Sequence, residues 1–385
     1  MNEDVYVIGV GMHPFGKHGV GIGDMAFVAG TQALADAGMS FKEVGAVYTG
    51  TIAAEITEGV DIVKDLGLTG VPVMRVENAS ATGSSAFYAA VHHVAGGHAP
   101  VAMALGFDDM LKMGMRMGAL MSMEGPKVAG IILPAAFFAL WAMRRMHERG
   151  TKVETFAKIA AKNWNHARAN PNAQRRSDHE VTPEEILKSS QIAYPHTAMM
   201  CCAAGGGAAC AIVANKETAM KYAKGRPLVR VLASQLRSEE YVPGHIFMGA
   251  VVGPAELTQK TAKLAYEEAG VGPKDINFFH VHDAFPIEEL MYYELLGICE
   301  EGEGDSLVEK GVTSLGGKYP FSTDGGLTAR GHPGGPTGLA QVWDAVLQLR
   351  HEAGERQVEG AQLGLVHMMG AGSVCAVHIL KKEKA

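Results

Sequence analysis

Four short segments of this 385-residue sequence hold side chains that could act on a carbonyl group. Ser80 lies in residues 78–85, and three histidines lie in residues 282–285, 331–335 and 367–372. A hydroxyl with an imidazole as its general base is a nucleophile, and backbone amides at the start of a helix can stabilise an oxyanion. Each feature alone also has a structural explanation, because small polar residues cap helices and single histidines are more often structural than catalytic.

Apolar stretches beside these segments predict the elements that must position them. Residues 78–85 follow an apolar strand and precede a helix, and the glycine-rich loop 331–335 also precedes a helix. His282 and His367 each follow a predicted strand. Because ligands of α/β sheets bind at the carboxyl ends of the strands, we expect a shared site at that edge.

An internal repeat predicts two similar halves. Residues 37–47 match residues 269–279, where an amphipathic helix ends at Ala-Gly before an apolar strand. A second pair of helix–strand units begins at Gly83 and at Thr337. The sequence therefore predicts two α/β halves and an inserted helical region, with these bounds: 1–118 with 198–250 for the first half, 119–197 for the insertion, and 251–385 for the second half.

The composition excludes several classes of protein. Hydrophobic residues make up 47% of the chain and charged residues 19%, which is typical of a globular protein with a large core. A net charge of −7 argues against a nucleic-acid partner, because phosphate binding needs basic patches. The five cysteines are odd in number and lack CxxC spacing, so we expect no disulfide framework and no metal site.

Two stretches bear on membranes and targeting. The acidic amino terminus lacks the basic and apolar regions of a signal peptide, which predicts a cytoplasmic location. Residues 128–143 are almost wholly apolar, but they are fewer than the ~20 that a spanning helix needs, and Pro134 interrupts them. We therefore expect no membrane span.

Taken together, the motifs resemble the thiolase superfamily, in particular its sterol-carrier-protein-type branch. Residues 78–85 resemble that branch's Asn-x-Cys-x-Thr-Gly-Ser nucleophile loop, residues 282–285 its His-Asp-Cys-Phe motif, and residues 331–333 its Gly-His-Pro motif. The resemblance covers nearly the whole chain. It implies the thiolase fold, an α/β fold of two repeated βαβαβαββ halves in a five-layer α-β-α-β-α arrangement with an inserted helical loop domain.

The resemblance also implies roles for four residues. Ser80 stands at the position of the nucleophilic cysteine, and His332 matches the histidine that activates it. His282 matches the histidine that helps form an oxyanion hole around a thioester oxygen. The backbone amides of Ser80 and Gly370 match a second oxyanion hole. Coenzyme A enters as a substrate, and no resident cofactor is implied.

The chain departs from the family pattern at its reactive groups. Besides Ser80, the two positions where the family places an acid/base cysteine hold Ala284 and Met368. Three hypotheses remain open. The chain is a thiolase that cleaves 3-oxoacyl-CoA, such as benzoylsuccinyl-CoA, with Ser80 an engineered replacement of cysteine; or it is a coenzyme-A-dependent retro-aldolase acting on 3-hydroxyacyl-CoA; or it is a non-catalytic acyl-CoA-binding subunit.

The resemblance further implies two protein partners. Thiolases pair through their core sheets, so we expect a homodimer. Members of this branch often associate with a small protein that carries a zinc ribbon and an OB-fold, so any zinc would belong to that partner.

Overall fold

The computed structural model describes residues 3–111, 134–223, 225–240 and 255–384. Within these ranges no helix is both long enough and apolar enough to cross a membrane. The apolar stretch 128–143 is described from Pro134 onward, where it forms a helix; residues 128–133 lie outside the described ranges.

The elements are numbered in chain order. The first part of the chain forms β1 (Val5–Gly16), α1 (Ile22–Ala37), β2 (Ala46–Gly50), α2 (Glu58–Lys64), β3 (Val73–Val76), α3 (Thr82–Ala95) and β4 (Val101–Asp109). The inserted region contains α4 (Pro134–Arg149), α5 (Val153–Arg168), α6 (Pro183–Lys188), β5 (Gln191–Ala193) and β6 (His196–Thr197). The remainder forms β7 (Gly206–Asn215), α7 (Lys216–Tyr222), β8 (Leu228–Ser238), α8 (Ala255–Ala269), β9 (Phe278–His280), α9 (Pro286–Leu295), α10 (Gly304–Glu309), α11 (Thr337–Arg350), β10 (Leu363–Gly370) and β11 (Val374–Glu383).

Nine strands join through hydrogen bonds in the order β3-β2-β4-β7-β1-β8-β11-β10-β9. The centre of this strand order lies at the junction where β1 pairs antiparallel with β8. On each side of this junction the outer strands run parallel, β2 with β3 and β4 in one half and β9 with β10 in the other. The strand order is therefore nearly a mirror image about the junction, as two copies of one unit require.

The matched segments of the repeat adopt the same local structure. Helices α1 and α8 are followed by Gly38 and Gly270, whose φ angles of 69° and 67° lie in the left-handed region that glycine adopts at low cost. Each glycine leads through a 3₁₀ turn into a buried strand. The exact domain bounds stay a prediction, because the junctions at 118/119 and 250/251 lie outside the described residues.

The core is built in five layers. Helices α3 and α11 lie in the centre, where Phe87, Val91 and Val346 pack between the facing sides of the two sheet halves. Helix α1 covers the outer face of the first half, and α8 covers the outer face of the second. The predicted thiolase fold class is confirmed.

The two central helices touch at their amino termini through glycines. A Cβ on Gly83, the second residue of α3, would lie 2.5 Å from the carbonyl oxygen of Gly335. A Cβ on Gly338, the second residue of α11, would lie 2.3 Å from the hydroxyl oxygen of Ser84. No larger side chain fits at either position without moving one helix away from the other.

Replacing Gly338 with alanine should therefore destabilise the fold. We expect Gly338→Ala to lower the free energy of unfolding by ~1–3 kcal/mol, because overpacking outweighs the gain in helix propensity. The matched control is Gly23→Ala at the second residue of α1, where the new Cβ would meet only Ile62 at 3.7 Å. Urea unfolding of both variants gives the comparison. Equal stability of the two would show that the helix contact does not require glycine.

Candidate active site

Ser80 lies on a sharp turn between β3 and α3. Ala79 precedes it with a φ of 47°, which is a strained conformation for an alanine. Hydrogen bonds within the loop hold this turn: the Asn78 amide donates to the Thr82 hydroxyl at 2.9 Å, and the Asn78 side chain donates to the Ser85 hydroxyl at 2.8 Å. Ser80 thus precedes the positive end of the α3 dipole, where negative charge on a nucleophile or oxyanion is favoured.

The Ser80 hydroxyl oxygen lies 3.0 Å from Nε2 of His332. Nδ1 of the same ring lies 2.8 Å from the hydroxyl oxygen of Thr337. The Thr337 hydroxyl donates its one hydrogen to the carbonyl oxygen of Pro333. Its oxygen must therefore accept a hydrogen bond from Nδ1–H, which leaves the Nε2 lone pair of a neutral ring free to accept the Ser80 proton.

Electrostatics keep His332 in this neutral form. Burial lowers the pKa of His332 well below its usual value, and the nearby His282 and Arg330 add to the shift. A neutral imidazole with its lone pair toward a hydroxyl is the starting state of a general base.

A buried carboxylate connects the His332 loop to the first half of the chain. Asp108, at the end of strand β4, accepts hydrogen bonds from the Thr51 hydroxyl at 2.7 Å and from the Gly335 amide at 2.5 Å. Burial raises the pKa of Asp108, which these donors oppose. The His332 backbone amide donates to the carbonyl oxygen of Ala203 at 3.0 Å, so the loop is held from two sides.

His282 is held by a glutamate on the helix that follows it. Its Nδ1 lies 2.8 Å from Oε1 of Glu288, whose Oε2 accepts the amide hydrogen of Phe285 at 3.2 Å. The glutamate therefore caps α9 and orients His282 at the same time. Within the described ranges Nε2 of His282 is buried and has no hydrogen-bond partner.

The His282 and His332 rings are neighbours with opposite electrostatic surroundings. Their centroids are 5.4 Å apart, and the planes are nearly perpendicular at 81°. Burial alone would lower the pKa of His282, but the carboxylates of Glu288 and Asp283 outweigh it, so the net shift is upward. Adjacent groups whose pKa values are pushed apart are suited to act as acid and base.

Asp283 connects the His282 loop to the inserted region. Its carboxylate accepts the Leu327 amide at 2.8 Å and the Asn163 side-chain amide at 2.8 Å. Burial and the nearby Glu289 raise the pKa of Asp283. Because both oxygens are engaged inside the protein, Asp283 supports the loop.

Gly370 reaches the site through the backbone of the nucleophile loop. It ends strand β10, and a Cβ there would lie 2.2 Å from the carbonyl oxygen of Asn78 and 3.1 Å from Cβ of Ala81. Only a residue without a side chain allows this approach. The structure therefore brings Ser80, His332 and His282 together and packs Gly370 against the Ser80 loop.

The fourth predicted segment contributes no side chain to this group. His367 is buried against the ring of Tyr292, with centroids 4.4 Å apart, and burial lowers the pKa of His367 to about 3. Ala284 and Met368, which the resemblance matches to acid/base cysteines, are both buried.

Three residues of the site are not predicted from the sequence: Thr337, Glu288 and Asp108. The sequence indicates Thr337 only as a helix start, although it lies two residues beyond the His332 loop. Glu288 carries a detectable signal, because an acid at the third position of a helix often caps it. An aspartate at a strand end has no distinguishing pattern.

Comparison with known proteins identifies the family. Residues 5–193 match the model described as "Thiolase, N-terminal domain", and residues 250–382 match "Thiolase C-terminal domain-like". The chain belongs to the thiolase family. As family and relatives agree on the reaction class, it is an acyltransferase of the thiolase type.

Curated relatives resemble the chain over nearly its full length. Human sterol carrier protein 2 is 35% identical, over 98% of this chain and 72% of its own length. Benzoylsuccinyl-CoA thiolase subunit BbsB of Thauera aromatica is 34% identical, over 97% and 96%. Acetyl-CoA acetyltransferase of Methanothermobacter thermautotrophicus is 34% identical, over 99% and 100%.

Solved structures share the fold at lower identity. The "Ltp2-ChsH2(DUF35) aldolase" superposes with a TM-score of 0.87 at 23% identity, covering 100% of this chain and 99% of its own. Human mitochondrial 3-ketoacyl-CoA thiolase superposes with a TM-score of 0.75 at 16% identity, covering 99% of each chain.

Thr337 should control the reactivity of residue 80. In a Ser80→Cys background, we expect Thr337→Val to remove the acceptor of His332 Nδ1–H and so disfavour the thiolate–imidazolium pair. The thiol should then react with iodoacetamide about 10-fold more slowly at pH 7, which corresponds to ~1.4 kcal/mol. Thr337→Ser keeps the hydroxyl and serves as the control, with melting temperature checked for both. Equal rates in both variants would contradict a role for the hydroxyl.

Proposed function

We propose that this acyltransferase cleaves or forms a carbon–carbon bond in a 3-oxoacyl-CoA with coenzyme A, and that residue 80 carries the acyl group. The observation that supports this most directly is the line of contacts from Ser80 Oγ to His332 Nε2 at 3.0 Å and from His332 Nδ1 to Thr337 at 2.8 Å. It presents a hydroxyl to a buried, neutral imidazole, as general-base activation of a nucleophile requires.

The surrounding groups suit the charges that develop in this reaction. The backbone amides of Ser80 and Gly370 would stabilise the oxyanion of the tetrahedral intermediate at the attacked carbonyl. Nε2 of His282, buried and without a partner among the described residues, would stabilise the oxygen of the second thioester. Donors of this kind each contribute ~3–4 kcal/mol to transition-state stabilisation.

A serine at position 80 changes the energetics of acyl transfer. Its hydroxyl is far less acidic than a cysteine thiol, whose pKa is ~8.5, so it depends fully on His332. The acyl group would be held as an oxygen ester, and passing it on to coenzyme A would run uphill. The hypothesis that Ser80 replaces a cysteine explains why the surrounding site suits a thiol, and it stays a prediction.

For the acyl group, we propose a branched, aromatic or dicarboxylic chain. The support is the 34% identity to a relative named as a benzoylsuccinyl-CoA thiolase subunit, which this chain matches over 96% of that relative's length.

Retro-aldol cleavage of a 3-hydroxyacyl-CoA is the second candidate. The observation that favours it is the His282–His332 pair, whose rings are 5.4 Å apart, beside positions 284 and 368 that hold no thiol. Such a cleavage needs a base for the hydroxyl proton and a donor for the enolate carbon, but no nucleophile at position 80.

We also propose two protein partners and a cytoplasmic location. The short strand β3 lies at one edge of the sheet that the described residues form, and among those residues no strand pairs with its outer backbone groups, which a second copy of the chain could therefore meet. The name of BbsB describes a subunit, and the name of the Ltp2-ChsH2(DUF35) aldolase includes a DUF35 component. These names support a second, different subunit, and we propose that it is the small zinc-ribbon and OB-fold protein that the family resemblance implies.

Substitution at position 80 tests the proposed reaction. We expect Ser80→Cys to raise coenzyme-A-dependent cleavage of 3-oxoacyl-CoA by about 10²-fold or more, because His332 can draw out a thiolate, and Ser80→Ala to abolish it. Product acyl-CoA is measured by chromatography with 3-oxoacyl-CoA and 3-hydroxyacyl-CoA substrates.

Two other results of these assays would indicate a different function. Retro-aldol turnover that is unchanged in Ser80→Ala would replace the proposal with the second candidate. Retained binding of acyl-CoA without turnover in any form would indicate a non-catalytic subunit.

A further inference from the structure

Carbon–carbon cleavage of a 3-oxoacyl-CoA leaves an enolate whose C2 must receive a proton. The positions where the family places a thiol for this step hold Ala284 and Met368, both buried. Cys202 is bonded to the His282 loop, since its amide donates to the carbonyl oxygen of Ala284 at 2.9 Å. Burial and neighbouring ionisable groups raise the pKa of its thiol to about 12, which makes it a poor base at neutral pH.

The geometry around His282 supplies a different donor. Glu288 is held in place by the Phe285 amide at 3.2 Å and the Tyr292 hydroxyl at 3.3 Å, and it accepts Nδ1–H of His282 at 2.8 Å. The opposite nitrogen, Nε2, is buried and without a partner within the described residues. One nitrogen of this ring is therefore committed to a carboxylate, and the other is free to exchange a proton.

We propose that His282 is the catalytic acid/base that exchanges the proton of C2 in place of a thiol, and that Glu288, bonded to its Nδ1, is the positioning residue that directs Nε2 to the substrate. The inference rests on the proposed carbon–carbon chemistry at this site and goes beyond the oxyanion-hole role that the family resemblance implies for His282.

The charged and titratable groups facing His282 favour this assignment. Glu288 and Asp283 raise its pKa and outweigh burial. Two other imidazoles, His332 and His367, lie near His282. Burial is the main cause that lowers the pKa of each, and His282 lowers it further. Arg330 is a cation beside His332. Tyr292 and Cys202 lie beside Glu288, and the pKa of each is raised.

The proposed cleavage passes protons through both imidazoles. Ser80 Oγ attacks C3 and its proton passes to His332; the C2–C3 bond then breaks, leaving the acyl group on Ser80 and the electron pair on C2. C2 takes the proton from Nε2–H of the His282 imidazolium, which becomes neutral. Coenzyme A then gives its thiol proton to His282 and takes the acyl group, while Ser80 recovers its proton from His332.

Exchange of the C2 hydrogens with solvent tests the role of His282 independently of residue 80. Acetyl-CoA, propionyl-CoA and succinyl-CoA are incubated in ²H₂O with the unmodified chain and with Ser80→Ala, and deuterium at C2 is measured by mass spectrometry. We expect exchange in both forms, because neutral His282 removes the C2 proton without any nucleophile. We expect His282→Asn to lower the exchange rate by about 10²-fold or more, and Cys202→Ala to leave it unchanged.

The pH profile of exchange tests Glu288. Exchange requires neutral His282, so its rate should rise with pH and level off above the pKa of that residue. Glu288→Gln keeps an acceptor for Nδ1–H but removes the charge that favours the imidazolium. The midpoint of the profile should therefore move to lower pH, by ~1–3 units. Tyr292→Phe removes one contact to Glu288 without changing the charge, and its midpoint should stay near that of the unmodified chain.

The outcomes are distinct from those that test residue 80. Exchange that persists in His282→Asn, that is lost in Cys202→Ala, or that is absent from the unmodified chain with every thioester would overturn the assignment of His282. An unmoved midpoint in Glu288→Gln would overturn the role of Glu288. If that variant does not fold, Glu288→Asp withdraws the carboxylate by one methylene and should move the midpoint in the same direction by less.

Discussion

The contact between the amino termini of α3 and α11 is the constraint on which the site depends. Gly83 meets the Gly335 carbonyl and Gly338 meets Ser84, at distances that no side chain would permit. Because α3 and α11 begin side by side, the Ser80 loop before α3 and the His332 loop before α11 both reach the site. This contact allows Ser80, from one half, to lie 3.0 Å from an imidazole of the other.

The polar chemistry follows from how each imidazole is held. His332 donates from Nδ1 to the Thr337 hydroxyl, a neutral acceptor, so burial dominates and the ring stays a base. His282 donates from Nδ1 to Glu288, a charged acceptor that outweighs burial. The pKa values of these two neighbouring histidines are therefore shifted in opposite directions, because the partner of His282 carries a charge and the partner of His332 does not.

The sequence predicted the fold class, the repeat and the residues with recognisable motifs, since glycine and histidine patterns at strand and helix ends are local features. It did not predict Thr337 or Glu288 as parts of the site. Their roles depend on which nitrogen of a histidine they meet, and a hydroxyl or carboxylate on a helix start usually only caps that helix. Asp108 is still harder to predict, because its partner Gly335 is 227 residues away in the chain.

We propose that residue 80 and His332 together carry the acyl group, and the serine makes this directly measurable. The acyl group released when the C2–C3 bond breaks would be held on Ser80 as an oxygen ester, which is more stable than a thioester, so without added coenzyme A it should accumulate. The chain and its His332→Asn variant are incubated with 3-oxoacyl-CoA, quenched in acid and mapped by peptide mass spectrometry. We expect an acyl adduct on Ser80 that is lost in His332→Asn. An adduct on another residue, no adduct, or equal labelling of both forms would contradict this role of residue 80 and His332.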